Sequence, residues 1–180
     1  NLARGTGLKG LGGIAPVNGN VIRPLLCVER NEIETYLQER GILHRVDETN
    51  ASDDYTRNRL RNHVLPYLEQ KVNSKTVEHM NETMEQLRQV QEFLDEQTAE
   101  YMILCAKETE NGYLVDEEQY RMVPNVMRPL LLKQVLVNVS KKEKDLEAVH
   151  LKQLQELFEK QTGRKLDLPY QMEAKRTYQG

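Results

Sequence analysis

Apolar positions along this chain follow two rhythms, one before Pro66 and one after it. Before it they come in short runs: VIRPLLCV at 21–28 reads as a buried strand, with Pro24 marking an edge or a strand end, and ILHRV at 42–46 as a second extended segment. Between them Glu29–Arg40 sets Ile33, Tyr36 and Leu37 on one face of a helix, and Gly41 follows as its C-terminal cap. Strand, helix and strand in that order predict a parallel α/β unit. Two strands do not make a domain, so residues 1–67 read as the closing part of a larger sheet domain. A short helix is expected from Asp54 to His63, capped by Ser52 or Asp53 and stopped by Pro66.

After Pro66 the period becomes helical. Val77, Met80, Met84, Leu87, Gln91, Leu94, Thr98, Tyr101 and Cys105 recur at spacings of three and four, with no Gly or Pro between Ser74 and Lys107. This predicts one helix roughly 50 Å long. Gln91 and Thr98 weaken its seam, which favours packing inside a helical domain over an extended coiled coil. Asn111-Gly112 reads as a turn, Tyr113–Val115 as a short strand, and helices follow at about Pro124–Val139 and Leu146–Gln161, the first kinked or delayed by Pro129. The end alternates like a hairpin, with Leu166, Leu168, Met172 and Ala174 inward. The fold class expected is therefore mainly α with a small α/β part, divided into 1–67 and a helical domain at 68–180.

Composition narrows the partners. The formal net charge is −3, so nucleic-acid binding would rest on local patches. No apolar run approaches the ~20 residues of a membrane span, and the start lacks the apolar core of a signal peptide, so a cytoplasmic protein is expected. Cys27 and Cys105 have no companion ligand at metal spacing and read as reduced, buried and inert; no metal site is expected.

Two stretches carry candidate chemistry. Six of the ten glycines fall within the first nineteen residues, a loop suited to approach a ligand or another loop closely, with Arg4 and Lys9 as cations. Its Gly5, Gly7 and Gly10 fit G-x-G-x-x-G, yet the dinucleotide version needs a strand before it and a helix after it, whereas Gly12, Gly13 and Pro16 follow here, so that fingerprint is rejected. In DETNASDDYTRNRLRNHVLP, at 47–66, a helical wheel sets Leu60 and Val64 on a buried stripe with Arg57 and Arg61 beside it. Guanidiniums there require carboxylate or phosphate partners, unless their stems merely cover apolar surface.

Taken in order, RGTGLKGLGGI at 4–14, IRPLL at 22–26, the helix opening at Arg30-Asn31-Glu32-Ile33, D-E-T-N at 47–50, Y-T-R-N-R-L-R at 55–61 and V-L-P at 64–66 resemble the tRNA(Ile)-lysidine synthetases of the PP-loop ATPase group. The remainder, with its L-P-x-x-M and R-T-Y, is similar more loosely to their helical substrate-binding domain. The family's S-G-G-x-D-S and H-x-x-D-D motifs are not in this sequence, so the expectation is a fragment lacking the N-terminal PP-loop, inactive alone and holding no cofactor. The resemblance implies ligation of lysine to the wobble cytidine of tRNA(Ile), with ATP and Mg2+ as cofactors of the complete enzyme. It makes Asp47, Arg57 and Arg61 candidate catalytic residues, and Arg4, Gly5, Gly7, Lys9, Gly10, Asn50 and Asn58 candidate substrate- or ATP-binding residues. Arg57 and Arg61 would meet phosphate, while Asp47 would orient one of them or contact the lysine. Asn50 and Asn58 would fix the turn or bond a base edge. The other readings are another tRNA-modifying PP-loop ATPase, or a non-catalytic RNA-binding or adaptor protein.

Overall fold

The computed structural model describes residues 2, 5–45 and 52–180. The chain is mainly helical and divides into two compact units, Asn1–Gln91 and Glu92–Gly180.

In the first unit a single turn of helix, α1 (Leu8–Leu11), forms inside the glycine-rich loop. Next comes a two-residue antiparallel ribbon, β1 (Val17–Asn18) with β2 (Val21–Ile22), in the register Asn18↔Val21. The expected parallel pair is not found among the described residues. Gly19, at φ +56°, turns the chain straight back after β1, and Pro24, which has no ladder donor, opens a 3₁₀ turn at Pro24–Cys27 instead of prolonging β2. Residues 42–45 hold no regular structure, and Val46, the last of the expected second strand, lies outside the described residues. Leu25, Leu26 and Cys27 are exposed, so burial of the 21–28 run and of Cys27 is overturned.

Helix α2 (Arg30–Glu39) forms as expected. Glu29 caps it and Glu32 returns the bond to the Glu29 N–H (2.8 Å), and Gly41 at φ +61° lets the Ile42 N–H reach the Leu37 carbonyl (2.9 Å). Pro66 does not stop the next helix. α3 (Thr56–Arg59) runs through a π turn at Leu60–Val64 into α4 (Leu65–Lys71). In that turn the Leu65 N–H bonds five residues back, to the Leu60 carbonyl, and the wider coil makes room for a residue that lacks an N–H and crowds the carbonyl behind it.

Helix α5 (Thr76–Cys105) is unbroken for 30 residues, about 45 Å. Its expected seam is half-buried or buried except at Met80, which is 43% exposed. Thr98, a weak point in the apolar series, is buried because its hydroxyl donates to the Leu94 carbonyl one turn back (2.7 Å).

The second unit contains the core. A hairpin of β3 (Ala106–Thr109) and β4 (Gly112–Val115) turns at Glu110-Asn111 and is followed by α6 (Glu117–Met122), neither β3 nor α6 having been expected. Asp116 caps α6 through its carboxylate, which accepts from the Gln119 N–H (2.9 Å). Pro129 delays the next helix to α7 (Arg128–Ser140), where a missing N–H costs nothing in the first turn. α8 (Ala148–Leu157) and the hairpin β5 (Lys165–Leu168) with β6 (Met172–Lys175) complete the unit. Their register, Leu166↔Ala174 and Leu168↔Met172, turns all four expected side chains onto the core of Tyr120, Val123, Leu131, Leu132, Leu136, Leu154 and Leu157.

Candidate nucleotide and tRNA site

Of the ten candidate residues, Arg4, Asp47 and Asn50 lie outside the described residues. In the glycine loop, Gly5 takes φ +75°, a left-handed conformation that suits glycine, and its N–H donates to the Leu2 carbonyl (3.1 Å). Gly7 precedes α1, and its carbonyl accepts from both the Gly10 N–H (3.0 Å) and the Leu11 N–H (3.1 Å). A Cβ at Gly10 would run into the Thr6 hydroxyl, so a side chain here would displace Thr6. The amides of Gly5, Gly10, Leu11 and Gly12 are thus all spent on backbone carbonyls within the loop, which is a structural use of these glycines, not a ready phosphate cradle.

The loop is pinned to the first half of α5. Arg88 donates from Nη2 to the Gly12 carbonyl (3.4 Å), is held by Glu85 (2.8 Å), and Gly13 backs onto the Met84 sulfur. Beside this contact is a largely apolar cavity of about 510 Å³, lined by Leu2, Gly10, Leu11, Met80, Met84 and Leu87 with His79 and two threonines. Gly10 borders it; Gly5, Gly7 and Lys9 do not. Lys9 is exposed.

The 52–64 stretch is built differently from the wheel. Asn58 holds the buried position, 6% exposed, and its Nδ2 donates to the Ser52 carbonyl (2.8 Å). Asn58 therefore fixes the turn ahead of α3, one of the two uses expected of it. Leu60 is half-buried and Val64 is 43% exposed, so the expected buried stripe does not form. The π turn is the cause for Val64, since it adds residues to one turn and rotates the later positions away from a 100° wheel. Arg57 and Arg61 are consequently exposed, with no ion pair among the described residues, and the inference that burial demands an anion is withdrawn. What stands in its place is two exposed guanidiniums, four residues apart.

One contact was missed in the sequence. His63 Nε2 lies 2.7 Å from Asp53 Oδ2 and ties the segment before α3 to its π turn. The two are ten residues apart, a separation with no helical or strand period to flag it. Among the described residues, no group of three or more His, Cys, Asp or Glu could hold a metal ion.

The known proteins this chain is similar to bear on that chemistry. Residues 1–68 match the PP-loop domain. The match ends beside Pro66, so the π turn and both arginines fall inside it. The expectation of a chain lacking the PP-loop is not borne out, because the match is to that domain, and the expectation of an inactive fragment loses its support with it. Beyond residue 68 the similarity continues. The tRNA(Ile)-lysidine synthase of Caldanaerobacter subterraneus is 35% identical over 178 residues, 99% of this chain and 38% of that protein. The enzyme of Clostridium perfringens is 33% identical over 167 residues, 92% of this chain and 35% of that protein. The Parabacteroides distasonis enzyme reaches 54% identity over 70 residues, 39% of this chain and 16% of that protein. The chain spans little more than a third of the length of the first two of these relatives.

Proposed function

We propose that this chain serves in an ATP-dependent tRNA(Ile)-lysidine synthase, a ligase that joins lysine to the wobble cytidine of tRNA(Ile) through an adenylated base. The observation that carries the reading is similarity to such enzymes over 99% of the chain, through both compact units and not only through the PP-loop domain. The substrates are then tRNA(Ile), lysine and ATP with Mg2+, acting in the cytoplasm. Residues 1–67 belong to catalysis and 68–180 to tRNA binding. Among the described residues no helix is long and apolar enough to cross a membrane.

The chemistry has two steps. The base carbonyl oxygen attacks the α-phosphorus of ATP and pyrophosphate leaves; the lysine amine then attacks the activated carbon and AMP departs with the oxygen. Negative charge builds on phosphate in both, and fixed cations lower that barrier. Arg57 and Arg61 are assigned this role, toward ATP or the anticodon backbone, and their exposure leaves them accessible to it. Asp47 is assigned to orient an arginine or to hold the lysine ammonium, where it would help remove a proton. Arg4 and Lys9 supply charge beside the glycine loop, in which Gly10 borders the pocket and Gly5 and Gly7 hold the backbone that carries it toward the ligand. Asn50 and Asn58 set the turn that carries these groups.

The test is nucleoside mass spectrometry of tRNA(Ile) incubated with the protein, lysine, ATP and Mg2+. Lysine-dependent conversion of the wobble cytidine is expected. ATP consumption with a different modified base would assign the chain to another tRNA-modifying PP-loop ATPase. RNA binding with no ATP consumption would make it an adaptor.

A further inference from the structure

Arg88 stands one turn beyond Met84 on α5 and beside Leu87, on the flank of the apolar seam. Its side chain is 26% exposed, against 54% for its partner Glu85. The guanidinium is a planar fork, and its two arms serve different elements. Nη1 pairs with the Glu85 carboxylate of the same helix (2.8 Å), while Nη2 donates to the Gly12 carbonyl of the glycine-rich loop, 76 residues earlier in the chain (3.4 Å). The Nε–H is buried and has no acceptor among the described residues.

A cation kept for Glu85 alone would not be placed this way. An N–H buried without an acceptor costs more than an ion pair with an exposed carboxylate one turn away contributes, so the pair with Glu85 does not account for the burial. Contact with the loop does. Gly12 is buried, and a Cβ on it would touch the Arg88 main chain at 3.6 Å, so the loop backbone lies directly on the helix backbone. Gly13, at φ +73°, then leads the chain past the Met84 sulfur, which a Cβ would meet at 3.0 Å.

Gly12 is also the residue that closes α1. Its N–H donates to the Leu8 carbonyl (3.1 Å), and its own carbonyl is the one that Arg88 takes. A helix of one turn has little stability of its own, and Gly7 gives α1 no side-chain cap at the other end. The direction of α1 is therefore set from α5, at the Gly12 end. In that setting Leu8 and Leu11 are half-buried, Gly10 and Leu11 border the cavity shared with Met80, Met84 and Leu87, and Lys9 is exposed.

We infer that Arg88 is a positioning residue for the reaction proposed above: through the Gly12 carbonyl it fixes α1 on α5, and with it the direction in which Lys9 and the Gly10 wall meet an anionic substrate group. It touches neither substrate nor reacting atoms. Glu85 orients the fork from the other side, so a carboxylate, a guanidinium and a carbonyl join helix to loop in series. The reaction served is that of the proposed function, on which this role rests.

Arg88→Lys, Arg88→Ala and the unaltered protein are compared in conversion of the wobble cytidine, in thermal melts and in amide exchange at Leu11 and Gly12, whose N–H groups close α1 onto the Gly7 and Leu8 carbonyls. Lysine keeps the apolar stem and the charge beside Glu85 but gives up the fork. Arg88→Lys should melt within a degree or so of the unaltered protein. It should nevertheless convert about tenfold more slowly or worse, and exchange the Leu11 and Gly12 amides about tenfold faster. Arg88→Ala should show both effects and melt lower. Normal conversion and normal exchange in Arg88→Lys would reduce Arg88 to packing and charge, and would overturn the inference. Fast exchange with normal conversion would also overturn it, because the placement of the loop would then not matter to the reaction. So would slow conversion with unchanged exchange, because Arg88 would then act by another route. An unaltered protein that forms no lysidine overturns the proposed function and this role together; the three outcomes before it, seen in a protein that does convert, overturn this role alone.

Discussion

The two units of this chain carry similar apolar side chains and treat them in opposite ways. Among the described residues, the buried apolar side chains all lie in the second unit, from Cys105 to Leu168. In the first unit Ile14, Val17, Ile22, Leu25, Leu43 and Tyr55 are each more than half exposed, and the buried side chain there is the polar Asn58. Hydrophobic content alone therefore does not make a core. Burial requires several elements to converge, and the second unit brings a helix pair and two hairpins onto one cluster, whereas among the described residues of the first the apolar side chains of α1, α4 and the first half of α5 reach at most half-burial. The candidate chemistry lies in the unit without the core, where Arg57 and Arg61 stand in solvent.

The contrast is broken most directly by truncating one leucine in each unit. Leu131 is fully buried, and Leu131→Ala should cost about 2–5 kcal/mol, the range for a lost leucine side chain plus the cavity left behind. Leu25 is 62% exposed, and Leu25→Ala should change stability by less than about 0.5 kcal/mol. Urea titrations of the two variants measure the difference; equal losses would show that the first unit has a core after all.

Function should sort the other way. On the proposed activity, Arg57→Ala or Arg61→Ala is expected to slow lysidine formation by about tenfold or more, the effect of losing a hydrogen bond to a charged group worth roughly 1.5–3 kcal/mol. The thermal midpoint should stay within a degree or so, since both side chains are exposed. Single-turnover assays and thermal melts on the same preparations separate the two effects. A fallen midpoint with normal turnover would return the arginines to a packing role. Failure of Arg57→Lys to restore the rate would point to bidentate geometry.

A smaller effect is expected from pH. Hydrogen bonds from Arg121 first and Arg176 second hold the Glu117 carboxyl below its ordinary value of 4.5. A carboxyl lowered by folding stabilises the folded state fully above that ordinary value, and the contribution is lost as pH falls through the folded value. The midpoint should thus fall on acidification below about pH 4.5, and Glu117→Gln should remove part of that slope. An unchanged slope in the variant would show that other carboxylates carry it.

The cysteines give the mildest test, which leaves the fold intact. Cys27 is exposed, while Cys105 is buried and its thiol is pushed up, by burial first and the nearby Asp116 carboxylate second. Brief iodoacetamide treatment should label Cys27 alone, as peptide mapping would reveal. Labelling of Cys105 at a similar rate would mean that the second unit opens readily.

Features that depend on neighbours within a few turns were legible in the residues alone. The seam from Val77 to Cys105, the capped helix ending at Gly41, the delay at Pro129 and the alternation from Leu166 to Ala174 all appear as read, because their periods are local. The order of short motifs before Pro66 also carried the resemblance to the tRNA(Ile)-lysidine synthetases, since it needs no packing to be visible. Packing in three dimensions settled the rest. A 100° wheel could not anticipate that the helix would widen by a π turn and pass through Pro66, or that Asn58 would take the inward place beside Arg57. Nor could an apolar run at 21–28 announce that it would fold into a ribbon and a 3₁₀ turn with its leucines exposed, because a run shows what can be buried and not whether anything arrives to bury it. The hold of Arg88 on Gly12 exists only once a helix residue 76 positions further along comes to lie on the glycine loop, a relation with no local period in the chain.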